Sequence, residues 1–207
     1  MVLLAVVGVL VLGGLWARGV RLPETGRWSP LTASLNQILI FSPVLLVPVL
    51  RRHPLRTALV RTDRLWLRLL LGVGCAALAL AVHIAVRRAL GEPVRLLPDF
   101  ASAENVDIAV QVLLEDLAVA ILLVRLAAAT GRRATIVLAA LLFAAAHIPA
   151  MLAGGAAAAE LIALVRDVAL GVLVLGAVLR SGDVAWFWPV HLTMDLTQFA
   201  RVMGVGS

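Results

Sequence analysis

The sequence has no lysine or tyrosine, one cysteine, and few charged residues for its 207-residue length. With Cys75 alone, neither an internal disulfide nor a cysteine-rich metal site is available. No Gly-x-Ser-x-Gly or His-Glu-x-x-His string occurs, which argues against a serine elbow and a zinc peptidase of that type. Charged residues make up only 14% of the chain, against about a quarter in soluble domains. These absences exclude an ordinary soluble globular composition.

What the sequence has in excess is apolar surface. Hydrophobic residues make up 62% of the chain, and its mean hydropathy is +1.04. No ordinary core hides so much apolar surface, so the composition predicts an integral membrane protein with the lipid bilayer as its solvent. The formal net charge of +6 comes from arginines that lie mainly in short connections between apolar runs. There they set membrane topology, so we expect no nucleic-acid partner.

Seven apolar runs predict an all-α fold, a polytopic bundle of about seven transmembrane helices. A helix needs about 20 apolar residues to cross the hydrocarbon core. We expect one membrane-embedded domain over residues 1–207, without internal repeats. The predicted spans are Val2–Trp16, Leu31–Leu50, Leu65–Val86, Asp107–Ala129, Ala134–Leu152, Ala158–Leu179 and Val184–Val202.

The most basic connection, between Arg51 and Arg64, is predicted to face the cytoplasm by the positive-inside rule. Strict alternation of the spans then places the turns 131–133 and 180–183 on the same side.

Several ionisable residues fall inside these spans, where each costs several kcal/mol on insertion scales. Glu115 and Asp116 lie on the fourth span, His147 on the fifth, and His191 and Asp195 on the last. Counted from the predicted ends, they lie at a similar depth. A carboxylate with two imidazoles can activate a water molecule and stabilise an oxyanion. The simpler alternative is a buried polar network that only holds the helices together.

These residues form a pattern that resembles the CPBP family of intramembrane endopeptidases, which includes CAAX prenyl proteases and bacteriocin self-immunity (Abi) proteins. The family pattern is Glu-Glu-x-x-x-Arg, then Phe-x-x-x-His, then His-x-x-x-Asn/Asp. Phe143-Ala-Ala-Ala-His147 resembles the second motif, and His191-Leu-Thr-Met-Asp195 the third. The resemblance covers residues 103–204.

The first motif departs from the family. Glu115-Asp116 stands for the glutamate pair, and Ala120 stands where the family has arginine. In the family that arginine supports the carboxylates, so Arg166 on the sixth span is a candidate replacement cation.

The resemblance implies a bacterial cytoplasmic-membrane peptidase acting on a membrane-associated peptide or protein, with no cofactor. Glu115 would be the general base, His147 would position the water, and His191 and Asp195 would stabilise the oxyanion. Asp116, Phe143 and Arg166 would support them. If the enzyme is metal-dependent, Glu115, His147 and His191 are the expected ligands.

Two other functions remain open: a non-catalytic scaffold or bacteriocin-immunity protein, favoured by the loss at Ala120, and a transporter with an acid–histidine proton relay.

Overall fold

A computed structural model describes residues 2–23, 29–50, 59–91, 105–153 and 158–199 of the chain. Over these ranges the fold is entirely α-helical, without a strand, as the apolar runs predict. The seven helices are α1 (Val2–Ala17), α2 (Ser29–Leu50), α3 (Leu65–Ala89), α4 (Val106–Thr130), α5 (Arg132–Ala153), α6 (Ala158–Ser181) and α7 (Phe187–Phe199).

Two helix bounds differ by three residues from the predicted spans: α3 ends at Ala89 rather than at Val86, and α7 begins at Phe187 rather than at Val184. The preceding residues turn instead, because the Asp183 carboxylate accepts the amide of Ala185 at 3.2 Å. The Val184 amide donates to the Leu59 carbonyl at 2.9 Å, which ties this turn to the end of the α2–α3 connection. With 13 residues, α7 is about 20 Å long. The predicted end at Val202 lies outside the described residues.

The helix α4 lies at the centre of the arrangement and packs against α2, α5 and α7. The helix pairs α1–α2, α1–α5, α3–α7 and α5–α6 complete the bundle. The largest buried cluster joins α4, α5 and α6 through residues such as Ala120, Ala140 and Val178. Small side chains at these contacts let the helix backbones approach closely, so α4 is held firmly on that side.

Two described helices are long and apolar enough to cross a membrane: α2, over Ser29–Val47, and α3. In the apolar window of α3 only 11% of the residues are buried inside the protein. Its large side chains, among them Trp66, Leu71 and Leu78, are exposed. A helix from a soluble core would bury this surface, and α3 presents it outward.

Three connections meet at one end of the bundle. Arg68 Nε contacts Asp183 Oδ2 at 3.2 Å, which links the start of α3 to the α6–α7 turn. At the α4–α5 turn, Arg132 donates to the Leu179 carbonyl at 3.0 Å. Strict alternation of the spans predicts that these turns lie on the same side as the basic connection, and their position at one end of the bundle agrees with that prediction. Of that connection, residues 51–58 lie outside the described part.

Glycine at position 72 brings α3 against the start of α7. A Cβ there would overlap the Trp186 carbonyl oxygen and lie 2.9 Å from the Pro189 ring. The absence of a side chain therefore fixes where α7 begins, and with it the depth of the residues that α7 carries.

Candidate active site

The carboxylate of Glu115 lies on the inner face of α4, about halfway along the helix. Gln111, one turn earlier, donates from Nε2 to Glu115 Oε1 at 2.8 Å. Residues four apart lie on the same helix face, so this hydrogen bond fixes the rotamer of Glu115 from within α4. Its other oxygen, Oε2, points towards His191, with 4.0 Å between Oε2 and Nε2.

His191 connects α7 to α4 through Asp116. The two atoms His191 Nδ1 and Asp116 Oδ1 are 2.9 Å apart. An ionised carboxylate only accepts hydrogen bonds, so Nδ1 carries the proton and Nε2 faces the site. Nε2 lies 3.7 Å from Asp195 Oδ1, one turn further along α7. This distance and the 4.0 Å to Glu115 exceed a hydrogen bond, which leaves Nε2 free to bind a third group.

His147 is oriented in the same way by its own helix. Its Nδ1 lies 2.9 Å from the Phe143 carbonyl oxygen. Since a carbonyl can only accept, Nδ1 is protonated and Nε2 is the exposed ring nitrogen. Glu115 and His147 lie sixteen residues on either side of Gly131, which places both about 24 Å from the α4–α5 turn. The two helices therefore bring them to the same depth.

Aromatic rings contact both imidazoles. The Phe143 ring meets His147 edge to face, with centroids 5.1 Å apart, and meets His191 at 6.1 Å. Phe187 stacks on His191, at 5.3 Å and an interplanar angle of 21°. This packing restricts rotation of His191, whereas His147 has one ring contact and stays exposed.

The site opens onto a cavity of about 400 Å³ between α1, α2, α4 and α5. That volume is within the usual range for small-ligand pockets. Glu115, Phe143, His147 and Asp195 line it, together with apolar side chains of α1 and α2 such as Val9. The titratable groups therefore lie at the wall of a largely apolar chamber rather than inside a closed core.

The donor set suits a divalent cation. One ligand atom each from Glu115, His191 and Asp195 can lie within 4.8 Å of one another. Two carboxylates and one imidazole carry more negative than positive charge, which a cation would offset. His147 does not belong to this group of three, so the ligand set that the structure offers contains Asp195 in place of the expected His147. A bound cation would supply Lewis-acid polarisation of a carbonyl there.

Ala120, which stands for the family's arginine, is fully buried. It packs in the main cluster with Ala139, Ala140 and Val178. The space of a long side chain is thus occupied by neighbouring helices. Asp116, one turn before, has its Oδ2 atom buried without a hydrogen bond to any described residue.

The structure brings together Glu115, Asp116, His191 and Asp195, and it places Phe143 and His147 beside them. Arg166 lies in α6, but its side chain is outside the described residues. Gln111 and Phe187 were not predicted as site residues. Each precedes a site residue by four positions, so the helical repeat could have identified them.

Comparisons of the chain with protein-family models, curated proteins and solved structures find no match. The geometry of the site is therefore the basis on which a function can be proposed.

Proposed function

We propose that the chain is an integral membrane protein, with up to seven spans, that hydrolyses peptide bonds within the bilayer of a bacterial cytoplasmic membrane. Two apolar helices and the outward apolar face of α3 support the membrane placement. The helices α2 to α6, with 22 to 25 residues, are about 33 to 38 Å long. That is enough to cross a hydrocarbon core of about 30 Å.

The observation that carries the proposal is the meeting of acids and imidazoles from three helices at the wall of one apolar cavity. Glu115 is held by Gln111, and His191 is held by Asp116. His147 lines the cavity with its Nδ1 atom occupied, and Nε2 of His191 lies 4.0 Å from Glu115 and 3.7 Å from Asp195, beyond hydrogen-bond distance. A network that only locked helices together would pair these groups with each other, and here Glu115, His147 and Asp195 line the cavity.

The proposed reaction begins with a water molecule between Glu115 and the imidazoles. Glu115 Oε2 takes a proton from the water as its oxygen attacks the scissile carbonyl carbon. The Nε2 atoms of His147 and His191 orient the water or stabilise the oxyanion of the tetrahedral intermediate. When the carbon–nitrogen bond breaks, the proton held by Glu115 moves to the leaving amine. Asp116 keeps the imidazole of His191 in the required tautomer throughout.

The direct test measures cleavage of a panel of quenched-fluorescence apolar peptides by the purified full chain in lipid nanodiscs. Loss of the base predicts that Glu115→Gln lowers kcat about 10²- to 10⁴-fold, the usual contribution of general-base catalysis. His147→Ala is expected to lower kcat as well. Asp63→Asn and His83→Ala, which remove the same kinds of group outside the site, serve as matched controls and should leave kcat unchanged. Cleavage at the wild-type rate by both site variants would refute the proposal.

The non-catalytic alternative is supported by one observation, the packed alanine at position 120. A scaffold or immunity protein would bind its partner without hydrolysing it. It predicts that Glu115→Gln retains full partner binding and that the wild-type protein releases no peptide fragments. Mass spectrometry of the incubated peptides therefore separates the two functions.

A further inference from the structure

The cavity has a second wall, made by α1 and α2, which lies outside the region of family resemblance. Most of this wall is apolar, but Gln37 is an exception. Gln37 lines the cavity, although only 8% of its surface is exposed. No hydrogen bond joins its amide to another described residue, yet the amide is not among the polar atoms that are fully enclosed without a partner. The amide therefore meets the cavity, and this position points to a ligand that pairs with it.

A neighbouring residue shows what such an amide can bind. Asn36 accepts the Leu22 amide at 2.9 Å and donates to the Leu22 carbonyl at 3.1 Å. One side chain of α2 thus pairs with both backbone groups of a non-helical residue. Gln37 offers the same donor and acceptor on the next position of the helix, where it meets the cavity instead of the α1–α2 connection.

We propose that Gln37 is a substrate-binding residue that pairs with the backbone N–H and C=O of an extended apolar peptide segment. This inference rests on the proposed peptidase function and names how that site recognises its substrate. The apolar side chains of α1 and α2 would surround the side chains of the peptide. An extended strand leaves its backbone groups unpaired, and an amide satisfies both.

The Gln37 amide favours a peptide over a hydrocarbon chain. A lipid chain would leave this amide unsatisfied, whereas the backbone N–H and C=O of a peptide satisfy it. Trp16 also lines the cavity, but its Nε1 atom is enclosed and is not offered to a ligand there.

The geometry predicts that binding and chemistry are divided between the two walls. Gln37 lies on α2, whereas Glu115 and its partner Gln111 lie on α4. Gln37→Met removes the amide from an unbranched side chain of similar length, and it should raise KM about tenfold with little change in kcat. Gln111→Met, the same exchange on the other wall, should lower kcat because it releases Glu115. Ser42→Ala, on α2 but outside the cavity lining, should change neither.

Binding is tested separately from cleavage in the Glu115→Gln background of the full chain. The probe is a leucine-rich decapeptide that carries one photoreactive leucine, and the competitor is a photoreactive fatty acid. We expect the peptide to label α1 and α2, and Gln37→Met to weaken its binding about tenfold. Equal peptide binding with and without Gln37→Met would overturn the inference. The inference would also be overturned if the fatty acid displaced the peptide and labelled the protein equally with and without Gln37→Met.

Peptides with single backbone esters identify the bond that Gln37 contacts. An ester lacks the N–H donor and has a weaker carbonyl acceptor. With the ester at the contacted position, Gln37→Met should no longer weaken peptide binding. If Gln37→Met weakens binding equally for every ester position, the result would count against a backbone contact. If the wild-type protein releases no peptide fragments but labelling still depends on Gln37, the peptidase proposal fails and the binding residue stands.

Discussion

The hydrogen bond between Asp116 and His191 offers the most informative single perturbation. Asp116→Ala removes the acceptor that lies 2.9 Å from His191 Nδ1, and it leaves the buried Nδ1–H without a partner. The imidazole then loses both its tautomer preference and its orientation. Asp116 itself does not line the cavity, so it cannot contact a substrate directly. It is a positioning residue that acts through His191.

The expected magnitude follows from the charge on this hydrogen bond. Hydrogen bonds to charged groups contribute about 1.5 to 3 kcal/mol, which corresponds to a decrease in kcat of about 10- to 150-fold. KM should stay within about twofold, because no group that binds substrate has moved. The conservative Asp116→Asn should lose less activity than Asp116→Ala, since an amide oxygen can still accept from Nδ1. Protein stability should change little, because the carboxylate is costly to bury and its Oδ2 lacks a partner.

The assay is steady-state cleavage of the same peptide panel, with thermal unfolding recorded for each variant. The reasoning is refuted if Asp116→Ala raises KM and leaves kcat intact, or if it has wild-type kinetics while Glu115→Gln is inactive. A large loss of stability that Asp116→Asn shares would also contradict it, because the pair would then be structural.

Two further predictions concern the elements that position the site. Gly72→Ala places a methyl group against the Trp186 carbonyl; overpacking costs about 1–3 kcal/mol and should displace α7, which lowers activity. Gly74→Ala, which meets nothing within 4 Å, is its control, and equal activities would contradict the close contact. The Arg68 hydrogen bond, aided by Arg61, holds the pKa of Asp63 below its usual range. The small stabilisation that the ionised Asp63 contributes is complete above its unfolded-state pKa of about 4. It disappears as the pH falls through the lower pKa of Asp63 in the folded protein. The Tm difference between wild type and Asp63→Asn should therefore vanish in acid.

The helices were predictable because each long apolar run is bounded by polar residues or by turn residues such as glycine. The start of α7 was not, since hydropathy does not register the Asp183 turn or the backbone hydrogen bond from Val184 to Leu59. In a hydropathy profile, a turn whose backbone groups are hydrogen-bonded to neighbouring residues cannot be distinguished from the apolar segment that follows it.

The depth of the site residues was likewise predictable, but their rotation about each helix axis was not. Sequence spacing placed Glu115 and His147 at equal distances from Gly131. Nothing in the spacing distinguishes whether Glu115 or Asp116 faces His191 through a hydrogen bond. Gln37 was further out of reach, because no sequence feature indicates that α2 packs against α4.

The closed packing around Ala120 limits which side chains this position can accept. Its side chain has no exposed surface and touches α5 and α6 through Ala139, Ala140 and Val178. An arginine at this position would need several neighbours to become smaller or to move apart at the same time. Because residues in contact are strongly coupled, we expect Ala120→Arg alone to destabilise the bundle, whereas a variant that also makes these neighbours smaller should lose less stability.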